Sequence, residues 1–140
     1  MDTLMGLWID HACAHLVLVR GPQITASHVL ESGVEGAHRS DGHRRGSSGF
    51  VRTGGHQGQR FKRHRLEELR RYYDRVAQST NGAQRVLVLG PGRAKHEFAA
   101  RLERFPLIRA RLAGVETADK LTDRQIAALV RTRLLPPRRP

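Results

Sequence analysis

Val86-Leu87-Val88-Leu89, followed at once by Gly90-Pro91-Gly92, is the stretch whose reading decides the fold. Four consecutive apolar residues without polar alternation are the pattern of a strand covered on both faces, as in a sheet flanked by helices. Upstream, Leu66, Leu69, Tyr72, Tyr73 and Val76 recur at helical spacing, with Arg63 and Arg70 on the opposite face, and Asn81-Gly82 ends that helix. Downstream, the glycine turn opens a helix over residues 93–105 with Phe98, Leu102 and Phe105 inward. A weaker strand follows over residues 112–115. Thr122-Asp123 then caps a last helix whose buried stripe is Ile126, Leu129 and Val130.

The chain opens differently. Residues 4–10 and 14–20 are two short runs rich in Leu, Val, Ile and Trp, joined as a β-hairpin across His11-Ala12-Cys13. Gly21-Pro22 marks a second turn, and residues 24–30 alternate in the strand manner. The expected order is therefore β-β-β, a long loop, then α-β-α-β-α. This is an α/β domain with a mixed sheet: a three-strand antiparallel meander, then two strands added by right-handed crossovers. At 140 residues a single domain is expected. The long loop covers residues 32–59, polar and glycine-rich, and is expected to be mobile alone and to order on a partner. Residues 136–140 form a basic tail expected to fray.

Composition points to a polyanionic partner. Lys and Arg number 25 against 13 for Asp and Glu, a formal charge of +12, and lysine occurs only at Lys62, Lys95 and Lys120. Arginine forks match phosphate in bidentate fashion and stack on bases, which favours RNA or DNA. A GC-rich genome would account for the arginine-to-lysine ratio but not for the net charge. The single Cys13 permits no internal disulfide and reads as a small core residue. No run approaches transmembrane length and no basic leader precedes an apolar segment, so the expected location is the cytoplasm.

The charge is concentrated behind Thr53-Gly54-Gly55-His56-Gln57-Gly58-Gln59-Arg60-Phe61, where the loop meets a cationic helix over residues 62–75. Paired glycines allow positive φ or close approach to a ligand, and a cationic helix behind them suits phosphate. Arg52, Arg60, Lys62, Arg63 and Arg65 are the expected phosphate contacts, with Phe61 anchoring the loop or stacking on a base. Arg93 and Lys95, in the turn after Gly90-Pro91-Gly92, add two more at a strand-to-helix junction suited to anions. That turn lacks the spacing of a Walker loop or a dinucleotide fingerprint, and its glycines equally suit an ordinary tight turn.

The residues from Gly54-Gly55 through Arg60-Phe61 to Tyr72-Tyr73-Asp74-Arg75 resemble the middle domain of archaeal and eukaryotic class I peptide release factors. There, a Gly-Gly-Gln tip, three variable residues and Arg-Phe lead into a basic helix. The segment from Val86 to Gly92 with Lys95 resembles the next strand and turn of that domain, which Pelota-type rescue factors share. Trp8-Ile9-Asp10-His11, the run from Gly114 to Lys120, and Thr122-Asp123 resemble small bacterial proteins called translational machinery proteins, stand-alone versions of that domain. The resemblance implies a ribonuclease-H-like fold and a ribosomal partner, with contacts to rRNA and tRNA and no cofactor. It also implies that codon recognition is absent, or that another protein supplies the missing domains. One position departs from the pattern: His56 stands where the family has its glutamine, and Gln57 comes one place later. Gly54, Gly55, His56 and Gln57 are the candidate catalytic residues if the tip hydrolyses peptidyl-tRNA. A misplacement of ~1 Å can cost ~100-fold in rate, which favours occupancy of the ribosome, in hibernation or stress protection, over chemistry.

Two other readings are weaker. One is a non-ribosomal RNA-binding or nuclease domain: Asp10, Glu116 and Asp119 fall near strand ends, where a nuclease of this topology would gather carboxylates for metal ions. The alternative makes Asp10 a strand terminator and places the other two in a turn. The eight histidines show no zinc-type spacing. His11 and His15 flank a hairpin, while His38, His43, His56 and His64 are expected to be solvated or to contact RNA. Glu67 and Glu68 are expected to pair with Arg71 within the basic helix.

Overall fold

The computed structural model of the protein describes residues 2–34 and 55–135; over residues 55–59 and at Phe61 the description covers the backbone alone. Three strands open the chain, β1 (Thr3–Ile9), β2 (Cys13–Arg20) and β3 (Gln23–Glu31). Helix α1 (Gly55–Ser79) leads to β4 (Arg85–Gly90), α2 (Ala94–Arg101), a 3₁₀ turn (Leu102–Arg104), α3 (Pro106–Arg109), β5 (Leu112–Thr117) and α4 (Asp123–Leu134). The five strands form one sheet in the order β3-β2-β1-β4-β5. β1, β2 and β3 pair antiparallel, whereas β4 lies parallel to β1 and β5 parallel to β4. This is the expected meander extended by two crossovers, and it is a ribonuclease-H-like α/β fold.

Sequence explains the layers. Alternation in β1 sends Met5, Leu7 and Ile9 into the core under α1 and α2, and Leu4 and Trp8 into the core under α4. The continuous run of β4 does the same, with Val86 and Val88 on one side and Leu87 and Leu89 on the other. Helix α4 approaches β1 closely because Gly6 carries no side chain; a methyl there would collide with Ile126 and Val130. Thr122 caps α4 reciprocally: its hydroxyl accepts the Gln125 N–H at 3.2 Å, while the Gln125 amide oxygen accepts the Thr122 N–H at 2.9 Å. Gly82 closes the connection after α1 at φ 96°, a left-handed conformation that glycine adopts without steric cost. Cys13 is buried among the apolar residues of the α4 face.

Several expectations need correction. Helix α1 begins at Gly55, so residues 55–59 are helical and not part of a loop. At the other end of the supposed loop, the Val34 side chain is buried against the α1 core. The rest of that loop and the 136–140 tail lie outside the described residues. Leu66 was expected to face inward but is 47% exposed, because α1 has moved beyond the sheet at that point. The second helix stops at Arg101 and tightens into a 3₁₀ turn, and Pro106 then starts the short α3. Proline is favoured in a first helical turn, where its missing N–H is no loss. Phe105 and Leu129 are partly buried and pack at the margins of the two cores.

Candidate nucleic-acid interface

Helix α1 is 25 residues long, or ~37 Å at 1.5 Å per residue. Its two halves have different surroundings. Leu69, Tyr72, Tyr73, Val76 and Ala77 are buried, whereas the described side chains from Arg60 to Glu68 are all exposed or half-buried. The helix runs antiparallel to the neighbouring β4, so its first half extends past the carboxyl ends of β1 and β4. It forms a projecting arm.

The arm is fixed at its root by a ring of polar contacts. The Tyr72 hydroxyl donates to the Asp10 carbonyl at 3.0 Å, tying α1 to the end of β1. The Tyr73 hydroxyl donates to Glu97 Oε1 at 2.6 Å, and His11 Nε2 meets the same oxygen at 2.9 Å. Arg101 grips Asp74 through Nε at 2.8 Å and Nη2 at 3.0 Å, a bidentate pair joining α2 to α1. Arg75 Nη2 donates to the Glu31 carbonyl at 3.0 Å, and the guanidinium lies 5.9 Å from the Tyr72 ring centre. Charge-assisted and bidentate bonds are the stronger kind, and here they join α1 to β1, β3 and α2.

Electrostatics at this root are consistent with the geometry. Burial tends to raise the Glu97 pKa, but hydrogen bonds from Tyr73 and His11, with the charge of Arg93, outweigh it and hold the carboxyl below its ordinary range. The Tyr73 phenol is driven upward, first by burial and then by its bond to Glu97. Tyr72 moves the same way, chiefly through burial. Both tyrosines therefore stay protonated and able to donate.

Beyond the root the arm is cationic. Arg60, Lys62, Arg63, Arg70 and Arg71 are exposed and Arg65 is half-buried, and among the described residues no ion pair engages any of them. Glu68 turns to His64 at 3.6 Å and not to Arg71 as expected. The structure thus gathers Arg60, Lys62, Arg63 and Arg65 on one element, with the backbone of Gly55, His56 and Gln57 forming its first turn. Gly54 and Arg52 lie outside the described residues, as do the side chains of His56, Gln57 and Phe61.

The Gly90-Pro91-Gly92 turn divides its two cations. Arg93 is exposed beside Glu97, but Lys95 is only 4% exposed and its Nζ donates to the Gly92 carbonyl at 2.5 Å. Lys95 is a clamp across the turn, and its burial removes it from the expected phosphate contacts. Gly90 serves close packing, since a methyl there would strike the Ile9 carbonyl.

Two of the three carboxylates of the nuclease reading have other partners. Asp10 Oδ1 accepts the N–H groups of Ala12 and Cys13, both at 2.8 Å, and so shapes the β1–β2 turn. Glu116 pairs with Arg133 at 2.8 Å. Among the described residues no three His, Cys, Asp or Glu side chains come together in a way that could hold a metal ion. His15, beside the hairpin, sits edge-on to Trp8, 6.0 Å between ring centres, with its Nε2 2.8 Å from Lys120 Nζ. No helix among the described residues is long and apolar enough to cross a membrane.

The root network and the Lys95 clamp were missed by sequence reasoning. The partners of Glu97 are 24 and 86 residues away along the chain, and no local pattern announces them.

No protein-family model matches the chain, and no curated protein matches it. Solved structures do. Pelota from Archaeoglobus fulgidus is 15% identical with a TM-score of 0.58, over 95% of this chain and 32% of its own length. Pelota from Thermoplasma acidophilum is 17% identical with a TM-score of 0.58, over 95% of this chain and 33% of its own. An archaeal translation termination factor is 16% identical over 90% of this chain and 37% of its own, at a TM-score of 0.47 that carries no argument here. The chain spans about a third of the length of the Pelota structures it matches. At such identities the likeness concerns architecture: this chain has the fold of one part of Pelota.

Proposed function

We propose that this chain is a ribosome-associated translation factor that binds rRNA or tRNA through the α1 arm. The observation that carries this reading is the arm itself, a rooted helix with Arg60, Lys62 and Arg63 exposed on a half that buries none of its described side chains. A helix held at one end and cationic at the other can enter a phosphate-lined channel without rearranging its own body. The Pelota-like fold and the Gly54-Gly55 tip with its following Arg60-Phe61 supply the direction, toward the peptidyl-transferase centre. The role is occupancy, as in hibernation or stress protection. His56 displaces the glutamine of the release-factor pattern, and backbone-positioned water attack tolerates such a shift poorly.

Co-sedimentation with ribosomes through sucrose at low salt, lost at high salt, is the expected result. The triple substitution Arg60→Gln, Lys62→Gln, Arg63→Gln should weaken binding and flatten its log-affinity against log-salt slope by roughly 2–3 if each side chain meets one phosphate. Free sedimentation of the unaltered protein at low salt would end this reading. Release of peptide from a stalled ribosome, lost in Gly55→Ala or Gln57→Ala, would replace occupancy with catalysis.

A further inference from the structure

At the opposite pole of the molecule, the amino ends of β1 and β4 surround a polar hollow of about 370 Å³, lined by Thr3, Arg20, Gly82, Ala83, Gln84 and Arg111. Its walls come from distant parts of the chain. Arg20 ends β2 opposite Thr3, Gln84 precedes β4 and donates its N–H to the Thr3 carbonyl, and Arg111 precedes β5. Arg20 and Arg111 therefore stand about three strand spacings apart, ~14 Å, with the Gly82 turn among the residues between them. Two arginine side chains of this reach can close on a group a few ångströms wide placed in the hollow.

Two neighbouring arginines of this pole are engaged. Arg85 Nη1 donates to the Leu134 carbonyl at 3.0 Å, and Arg131 donates to the Gly21 and Pro22 carbonyls at 3.0 and 2.9 Å. Arg20 and Arg111 have no side-chain hydrogen bond or ion pair among the described residues. Asp2, the nearby acid, is tied to Gln84 Nε2 at 3.3 Å and not to either arginine. The Gly82 N–H also takes no part in the turn bonds, which run from Thr80, Asn81, Ala83 and Gln84. The carbonyls of Ala77 and Gln78 accept Thr80 and Asn81, so the negative end of α1 is largely satisfied before it reaches the hollow.

We infer that this hollow is an oxyanion site, in which Arg20 and Arg111 hold a phosphate group over the Gly82 turn. Arginine forks suit the tetrahedral oxygens of phosphate, and a backbone N–H in a left-handed turn adds a short-range donor. The site lies at the far end of the body from the arm and stands independently of the ribosome reading. The phosphate belongs to free inorganic phosphate or to an RNA backbone, and the two sources separate by experiment.

The amide resonance of Gly82 and the side-chain Nε resonances of Arg20 and Arg111 report occupancy in the full chain at constant ionic strength. Saturable shifts of all three with inorganic phosphate, absent with chloride, are expected. A short single-stranded RNA that saturates the same resonances at least about tenfold more tightly would assign the site to an RNA backbone, and equal or weaker RNA binding would assign it to the free anion. Arg20→Gln with Arg111→Gln should weaken whichever binds by about tenfold or more, as expected for two charge-assisted contacts. Arg20→Lys keeps the charge without the fork and should fall between. Shifts that fail to saturate with phosphate and RNA alike, that appear equally with chloride, or that persist in the double variant would overturn the assignment. Ribosome co-sedimentation of the double variant separates this outcome from failure of the arm.

Discussion

One helix contains two chemical regimes. From Leu69 to Ala77, α1 follows the rule of a core helix: an apolar face is buried, and the two hydroxyls on that face reach acceptors just past the end of β1 and in α2. From Arg60 to Glu68 the same helix has no buried side chain among those described. Among the described side chains, hydrophobic burial does not order the second region. Its helicity depends on continuity with a rooted segment, because propagating an existing helix is far easier than nucleating one. The comparison teaches that the root provides rigidity and the arm provides charge, so substitutions in the two regions should have separable effects.

Tyr72→Ala attacks the root and should have the largest effect on stability. The ring is fully buried, and removing a buried aromatic costs about 3–5 kcal/mol. The substitution also takes the hydroxyl away from the Asp10 carbonyl. Urea denaturation followed by circular dichroism should show a midpoint far below that of the unaltered protein. A loss under ~1 kcal/mol would mean that α1 is not anchored where Tyr72 places it.

How much of this was legible in the sequence follows the range of the signals. The unbroken apolar run of β4 and the Thr122 cap are local patterns, and β4 and α4 formed within a residue or two of their expected places. The order of three antiparallel strands followed by two crossovers came from turn signals and period changes, which are local as well. Leu66 misled because helical spacing tells which face a residue occupies but not whether the sheet is still beneath that face. Lys95 misled for a related reason: a lysine after a glycine turn looks available until the turn closes on its Nζ. The Glu97 root and the Arg20–Arg111 hollow unite residues separated by many elements, and only the folded sheet brings them together.

A smaller effect is expected at the polar part of the root. Glu97 has a lowered pKa in the folded protein, so its contribution is complete above the pKa of the unfolded chain. That contribution is lost as pH falls through the lower folded value. The window is therefore acidic, beginning near the ordinary glutamate value of 4.5 and extending below it. Glu97→Gln keeps the shape and one acceptor for Tyr73 but cannot titrate. Its stability should respond less to acid than that of the unaltered protein over this window, with the two curves separating most near neutrality. Parallel curves in urea melts from neutral pH to pH ~3 would show that the Tyr73–Glu97–His11 contacts do not contribute to rooting the arm.

Leu66→Ala is the smallest expected perturbation and tests the comparison from the side of the arm. Leu66 is half exposed, alanine is at least as good a helix former as leucine, and surface substitutions away from special features usually fall within ~0.5 kcal/mol. Stability should stay within that range by urea denaturation. A loss above ~1 kcal/mol, in the range expected for a packed leucine, would place Leu66 against apolar surface and break the division between root and arm. Unchanged stability combined with weakened ribosome sedimentation would instead sharpen it. Leu66 would then be an apolar contact carried among the exposed cations of the arm, buried only when the arm has entered its partner.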